Sequence, residues 1–170
     1  EAGLELGIKG SIVVNDKMET SIPDVYAVGD AVQIKNFVTD KDTLISLAGP
    51  ANKQGRIAAD NICGGDSHYT GGQGSSVIKI FDMTAAATGI NEKTAKSLGI
   101  ATDKVILSPM SHAGYYPGGK MMTMKVLFEK ESYRILGAQI IGFDGVDKRI
   151  DVLATAIRAG IKAYELTELD

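Results

Sequence analysis

Three stretches of this 170-residue chain combine glycines with side chains that can bind or protonate another molecule. In the first, Gly29 and Asp30 come directly after a β-branched and aromatic run at 25–28, which predicts a strand that ends in a carboxylate. Gly29 lets the backbone approach a ligand closely, and the Asp30 carboxylate is a strong acceptor for a sugar hydroxyl. A Gly-Asp pair alone is more often an ordinary turn, so its meaning depends on the residues around it.

The second stretch, 47–56, reads Leu-Ala-Gly-Pro-Ala-Asn-Lys-Gln-Gly-Arg and leads into a predicted helix over 51–63. Pro50 suits the first turn of that helix, and Gly64 ends it. A helix N-terminus carries free N–H groups and about half a positive charge, which stabilise a nearby negative charge. The alternative interpretation is a helix that only packs in the core.

The third stretch, 111–119, contains the adjacent phenols Tyr115 and Tyr116 before Pro-Gly-Gly. It is either a turn with stacked aromatic rings or a loop that offers a phenol for proton donation. The two histidines, His68 and His112, lie far apart without a carboxylate cluster at ligand spacing, so no metal site is predicted. Cys63 has no second cysteine and is predicted to be a small packed residue at a helix end.

Composition excludes several classes of protein. The chain has 18 basic and 21 acidic residues, for a net charge of −3, which gives no clustered basic surface for nucleic acid. No apolar run reaches the roughly 18–20 residues of a membrane helix, so no membrane partner is expected. A single cysteine fits a reducing compartment, and we predict a cytoplasmic protein. The chain begins at Glu1 rather than methionine, which favours a piece of a longer protein.

The elements that position these stretches form two predicted domains. The glycine-rich connector 64–76 places the boundary near residue 72, giving domains 1–72 and 73–170. The first has strands at 11–15 and 25–28 followed by the helix, an α/β pattern. The second has predicted strands at 77–81, 104–107, 121–128 and 134–141, with helices at 91–98 and 146–159. Hairpin strands with interleaved helices predict an α+β domain with an antiparallel sheet.

The string 20–31, Thr-Ser-Ile-Pro-Asp-Val-Tyr-Ala-Val-Gly-Asp-Ala, resembles the second flavin-contacting motif of the FAD-dependent pyridine nucleotide-disulfide oxidoreductases. The resemblance implies that domain 1–72 is the end of an FAD-binding, Rossmann-like domain. It implies that Asp30 accepts a hydrogen bond from a ribityl hydroxyl and that Gly29 lies against the cofactor. Backbone groups near Leu47 and Ala48 would face the flavin pyrimidine, and Asn52 would face the reactive thiol or the substrate.

Domain 73–170 resembles the dimerisation domain of the same family, which implies a homodimer. Its 111–119 loop resembles the branch that contains coenzyme A-disulfide reductases and NADH oxidases or peroxidases. In the reductases of that branch a tyrosine from this loop reaches the active site of the partner subunit. We assign that catalytic role to Tyr115, with Tyr116 as the alternative.

The resemblance implies the C-terminal part of a flavoenzyme, since the family's two glycine-rich nucleotide turns and its catalytic cysteine are absent from these 170 residues. Such an enzyme passes electrons from NAD(P)H through FAD and the cysteine to coenzyme A disulfide or a related persulfide or polysulfide. Two alternatives stay open. One is an NADH oxidase or peroxidase with oxygen or peroxide as acceptor, and the other, for this piece alone, is a non-catalytic dimerisation module.

Overall fold

The computed structural model describes residues 2–169. The chain divides into two compact units, 1–74 and 75–170, so that the division falls within the glycine-rich connector. Within the described range, no helix has both the length and the apolar character needed to cross a membrane.

The first unit joins a small sheet to one long helix. Its sheet has the strand order β1 (Ile12–Val13), β2 (Val32–Lys35) and β3 (Asp42–Thr43), in which β1 pairs parallel to β2 and β2 pairs antiparallel to β3. Helix α1 spans Ala48–Ile62 and buries Ile57 and Ala58. The core consists of buried residues from the segment after β1, the sheet, the helix and the connector: Met18, Val32, Ile34, Ile57, Ala58 and Tyr69.

The predicted strand at 25–28 does not form. Instead, Tyr26 makes one isolated antiparallel bridge to Glu19. Met18 and Asp24 both adopt left-handed backbone conformations, with φ of 69° and 63°. Since such residues leave the extended conformation, they bend the chain on either side of the bridge and prevent a longer ladder.

The connector that follows α1 is held by a group of polar contacts, which we call the connector clasp. His68 Nδ1 lies 2.8 Å from Asp16 Oδ2 and Nε2 lies 3.2 Å from Asp66 Oδ1, while Lys17 pairs with Asp66 at 2.5 Å. Asn61 Nδ2 adds hydrogen bonds to the Lys17 and Ser67 carbonyls. The clasp therefore fixes the connector to the 15–17 turn.

Cys63 lies at the end of α1 and is exposed, so the prediction that it packs as a small buried residue was wrong. The helix ends at Ile62, and Gly64 adopts a φ of 84° that turns the chain away. The thiol therefore extends beyond the buried stripe of the helix.

The connector clasp predicts a pH-dependent stability. The hydrogen bond to Asp16 raises the pKa of His68, with further attraction from Asp16 and Asp66, although desolvation acts in the opposite direction. A raised folded-state pKa gives stability that is fully present below about pH 6.5, the ordinary histidine value, and is lost as pH rises through the folded pKa. We expect His68→Gln to lower the melting temperature more at about pH 6 than at about pH 9.

The control for this experiment is His112→Gln, which removes an imidazole from the second unit and leaves the connector clasp intact. Melting temperatures of the parent and both variants are measured by thermal unfolding at the two pH values. An equal loss for His68→Gln at both values would contradict a charged role for this imidazole.

The second unit contains an antiparallel sheet of five strands: β4 (Ser76–Ile80), β5 (Met83–Gly89), β6 (Thr102–Leu107), β7 (Met122–Glu129) and β8 (Ile135–Gly142). Their order in the sheet is β4-β5-β8-β7-β6. The helices are α2 (Glu92–Ser97), capped by Asn91, and α3 (Val146–Ala159). This arrangement confirms the antiparallel α+β prediction for the second half of the chain.

Strand β5 was missed by the sequence prediction because its run Met-Thr-Ala-Ala-Ala-Thr-Gly has no alternation of large apolar and polar residues. The structure places it next to the central strand β8, where Ala86 and Thr88 are buried. Helix α3 packs on β5 and β8 and buries Val146, Ile150 and Leu153. Small residues in β5 therefore allow a close approach of the helix to the sheet.

Candidate functional site

Gly29 and Asp30 lie in a one-turn 3-10 helix, Gly29–Ala31, that leads directly into β2. Gly29 has a φ of 80°, a backbone conformation that a residue with a side chain adopts only with strain. Space is not the constraint, because a Cβ there would meet only the Ala51 Cβ at 3.9 Å. The glycine is therefore required by conformation, and it turns the chain so that Asp30 is exposed.

The N-terminus of α1 presents two backbone donors. The helix begins at Ala48, three residues earlier than predicted, after Leu47 in an extended conformation. The Leu47 N–H already donates to the Ile45 carbonyl at 3.1 Å, and Pro50 has no N–H. Among the described residues, Ala48 and Gly49 are thus the first-turn residues whose N–H groups have no acceptor.

Gln54 joins these two features, and sequence reasoning did not identify it. Its side chain is fully buried, and its Oε1 accepts a hydrogen bond of 2.7 Å from the Gly29 N–H. The signal that was available is the position of Gln54 three residues before Ile57, which puts a polar side chain on the apolar stripe of α1. This hydrogen bond therefore connects the turn directly to the N-terminal half of α1.

Asn52 lies on the exposed side of α1, where its Nδ2 donates to the Ala48 carbonyl at 2.9 Å. The side chain is therefore held along its own helix. It borders a shallow groove of about 470 Å³ whose other lining residues are Ala51, Gly55, Arg56 and Ala59. The lining of this groove therefore combines three small residues with the polar side chains of Asn52 and Arg56.

In the second unit, the loop that carries the two tyrosines is closed at its base. Met110 and Met121 form an antiparallel bridge, and the Ser111 N–H donates to the Lys120 carbonyl at 2.8 Å. Arg149 of α3 is half-buried, and it donates to the Ser111 carbonyl at 2.6 Å. These contacts hold the two ends of the 111–120 loop together at its base.

The two tyrosines of this loop differ in their surroundings. The Tyr116 ring makes an edge-on contact with the His112 ring, with 5.6 Å between the ring centroids. The backbone N–H of Tyr116 donates to the Ala113 carbonyl. Tyr115 lies at the tip and is 92 % exposed, compared with 67 % for Tyr116. Tyr115 is therefore the phenol that is more accessible to another molecule.

Two family models match this chain. Residues 75–169 match the pyridine nucleotide-disulphide oxidoreductase dimerisation domain, and residues 1–55 match the pyridine nucleotide-disulphide oxidoreductase domain. The match to the dimerisation domain alone covers more than half of the chain. The chain therefore belongs to the pyridine nucleotide-disulphide oxidoreductase family, as its sequence motifs predicted.

Individual relatives match along the whole chain. An NADH oxidase of Methanocaldococcus jannaschii is 36% identical over 100% of this chain and 38% of its own length. The crystal structure of reduced Bacillus anthracis CoADR-RHD is 52% identical, with a TM-score of 0.96 over 99% of this chain and 30% of that chain. An NAD-dependent persulfide reductase from A. fulgidus is 42% identical, also with a TM-score of 0.96, over 99% of this chain and 31% of that chain. The chain thus spans about a third of the length of these relatives.

Proposed function

We propose that this chain is the C-terminal part of an FAD-dependent enzyme that uses NAD(P)H to reduce coenzyme A disulfide or a related persulfide or polysulfide. In this proposal residues 1–72 end the FAD-binding domain and residues 73–170 form the dimerisation domain. One observation carries the flavin assignment: Gln54 joins the Gly29–Asp30 turn to the start of α1 in a chain that belongs to this family. The substrate class is supported by the likeness to a persulfide reductase.

The residues of the first unit fit FAD by their chemistry. The exposed Asp30 carboxylate can accept from a ribityl hydroxyl, and the Gly29 backbone leaves room for close approach. The Ala48 and Gly49 N–H groups, at a helix N-terminus, suit the partial negative charge of a flavin pyrimidine. FAD, when bound, would accept two electrons as hydride from NAD(P)H and would then pass two electrons on towards the cysteine.

The roles of this chain's own residues follow from that arrangement. Asp30 orients the cofactor, and the helix N-terminus stabilises added negative charge, which favours the reduced flavin. Leu47 supports this end of α1 through the bond from its N–H to Ile45. Asn52, beside the shallow groove, is the residue we assign to the thiol or substrate side.

We assign to Tyr115 the role of a proton or hydrogen-bond donor to the thiolate that leaves when a mixed disulfide is cleaved. Its exposure at the loop tip supports action on the partner subunit's site rather than within its own unit. A phenol near such a thiolate stabilises the developing charge through a charge-assisted hydrogen bond. We place this enzyme in the cytoplasm, where a reducing environment suits the single exposed thiol, Cys63.

The homodimer is a further part of this proposal. In the second unit, a sheet face lined by Ile78, Ala85 and Ile141 borders a groove of about 530 Å³, and both isoleucines are exposed. Exposed large apolar side chains that adjoin one another on a sheet face are typical of a surface that binds a partner. We therefore expect the second unit to self-associate, and its sedimentation as a monomer at tens of micromolar (roughly) would contradict a stable interface.

A second candidate function is an NADH oxidase or peroxidase, favoured by the 36% identity to an NADH oxidase. Supplying the full-length protein with NAD(P)H and each acceptor separates the two. We expect anaerobic NAD(P)H oxidation with coenzyme A disulfide or polysulfide to exceed the aerobic rate without disulfide by at least about tenfold, since correct acceptors are discriminated by transition-state binding. Rapid turnover with oxygen or peroxide and none with disulfide would establish the second candidate instead.

A further inference from the structure

Gln54 is the side chain that crosses from α1 to the turn at Gly29, 25 residues earlier in the sequence. Its residue exposure is 0 %, and the Gly29 N–H donates to Oε1 at 2.7 Å. Since a backbone N–H can only donate, the bond requires that the oxygen end of the amide face the turn. The orientation of the buried amide is therefore determined by its partner.

The amino end of the Gln54 side-chain amide, Nε2, is buried without a compensating contact among the described residues. Within the part of the chain that the structure describes, the buried Nε2 of Gln54 has no hydrogen-bond partner. An unpaired buried amino group destabilises a fold, so a position that served only packing would favour an apolar side chain such as its stripe neighbour Ile57. The presence of glutamine at this position thus indicates that the Gly29 N–H requires the acceptor that Gln54 Oε1 provides.

The conformational freedom of Gly29 explains why its N–H needs this acceptor. With a φ of 80° and no side chain, it has access to many backbone conformations unless something holds it. The bond to Gln54 fixes the turn to α1, whose first residues Ala48 and Gly49 carry the unpaired donors. A ligand that contacts both the turn and the helix end would otherwise have to order the glycine when it binds.

We propose that Gln54 is a positioning residue that preorganises the Asp30 carboxylate and the N-terminus of α1 for one flavin. The inference rests on the proposed function, since it assumes that FAD is the ligand that spans both features. Gln54 itself is assigned no contact with FAD. Its action passes through the Gly29 N–H.

The test uses full-length apoprotein and measures the Kd for FAD by fluorescence titration. Gln54→Met keeps the length of the side chain but removes the acceptor, and we expect a Kd about three- to tenfold larger, the range of one neutral hydrogen bond. Gln54→Glu keeps an oxygen acceptor at the same reach, but burial of its carboxyl group has a cost, so we expect a Kd for FAD between those of the parent and Gln54→Met. Amide hydrogen exchange at Gly29, measured without FAD, should be faster in Gln54→Met and near the parental rate in Gln54→Glu.

Gln33→Met is the matched control, because Gln33 Oε1 also accepts a backbone N–H, that of Ile8 at 2.9 Å, in the same unit. It should leave the Kd for FAD within about twofold of the parent. If Gln54→Met does not fold, Gln54→Asn replaces it, since this amide is one methylene too short to reach Gly29. The inference is overturned if the variant that lacks the acceptor has the same Kd for FAD as the parent. It is also overturned if Gln54→Glu weakens FAD binding as much as the variant that lacks the acceptor. A parent that binds no FAD overturns the proposed function as well, which separates the two failures.

Discussion

Replacing Tyr115 with phenylalanine in the full-length protein is expected to slow disulfide reduction by at least about tenfold, while flavin reduction by NAD(P)H stays within about twofold of the parent. The substitution removes only a hydroxyl from a side chain that is 92 % exposed at a loop tip, so folding is spared. A hydrogen bond to a charged group contributes about 1.5–3 kcal/mol, and a positioned general acid about 10²–10⁴-fold in rate. Hydride transfer from NAD(P)H to the flavin does not use this phenol.

Stopped-flow absorbance separates the two half-reactions, and Tyr116→Phe is the matched control. Tyr116 lies in the same loop, but its ring packs edge-on against His112, so loss of its hydroxyl should leave both rates within about twofold. If Tyr116→Phe alone slows disulfide reduction, the catalytic role belongs to Tyr116. If neither substitution changes either rate, the loop is structural and the oxidase or peroxidase becomes the better proposal.

Replacing Asp30 with alanine is expected to weaken FAD binding by about 10- to 150-fold, the range for loss of a charged hydrogen bond of about 1.5–3 kcal/mol. Asp30→Asn retains a neutral acceptor and should lie between the parent and Asp30→Ala. The measurement is the Kd of full-length apoprotein for FAD, together with the flavin content after purification. Because Asp30 is exposed, the loss should not come from unfolding.

Asp24→Asn is the control for this pair of variants. Asp24 is also exposed and lies in the same loop, and its φ of 63° is tolerated by asparagine. Flavin binding in Asp24→Asn should therefore match the parent, whereas thermal unfolding of the apoproteins should be similar for all the variants. Equal affinities of Asp30→Ala and the parent for FAD would show that the turn does not bind the ribityl chain.

Much of the second unit follows from local patterns. The run at 146–159 places Val146, Ile150 and Leu153 at helical spacing, and α3 has these bounds and buries all three residues. The helix predicted at 91–98 also forms, and Asn91 caps it by accepting a hydrogen bond from the Thr94 N–H. Such elements could be predicted because their periodicity and end signals lie within a few residues of one another. Strand β5 could not, because its burial comes from its position beside β8.

In the first unit, the continuous 20–31 motif was enough to predict the family and the candidate residues Gly29 and Asp30. How these residues are held depends on tertiary packing, and so does the contact with Gln54. The run at 25–28 resembles a strand, yet the left-handed conformations of Met18 and Asp24 limit it to the bridge between Glu19 and Tyr26. The N–H of Leu47 turns out to be used by Ile45, which leaves the helix donors at Ala48 and Gly49.

The contact between Gln54 and Gly29 shows why some features could be predicted from the sequence and others could not. A glycine's freedom and a helix start can be recognised from neighbouring residues, because each depends on local backbone geometry. A hydrogen bond between side chain and backbone across 25 residues depends on how the helix packs against the turn. The same holds for the exposure of Cys63 and for the difference between Tyr115 and Tyr116. The burial of a side chain and its hydrogen-bond partners depend on residues that are distant in the chain. The sequence therefore shows which chemical groups are present, whereas tertiary packing sets which of them are held, paired or accessible.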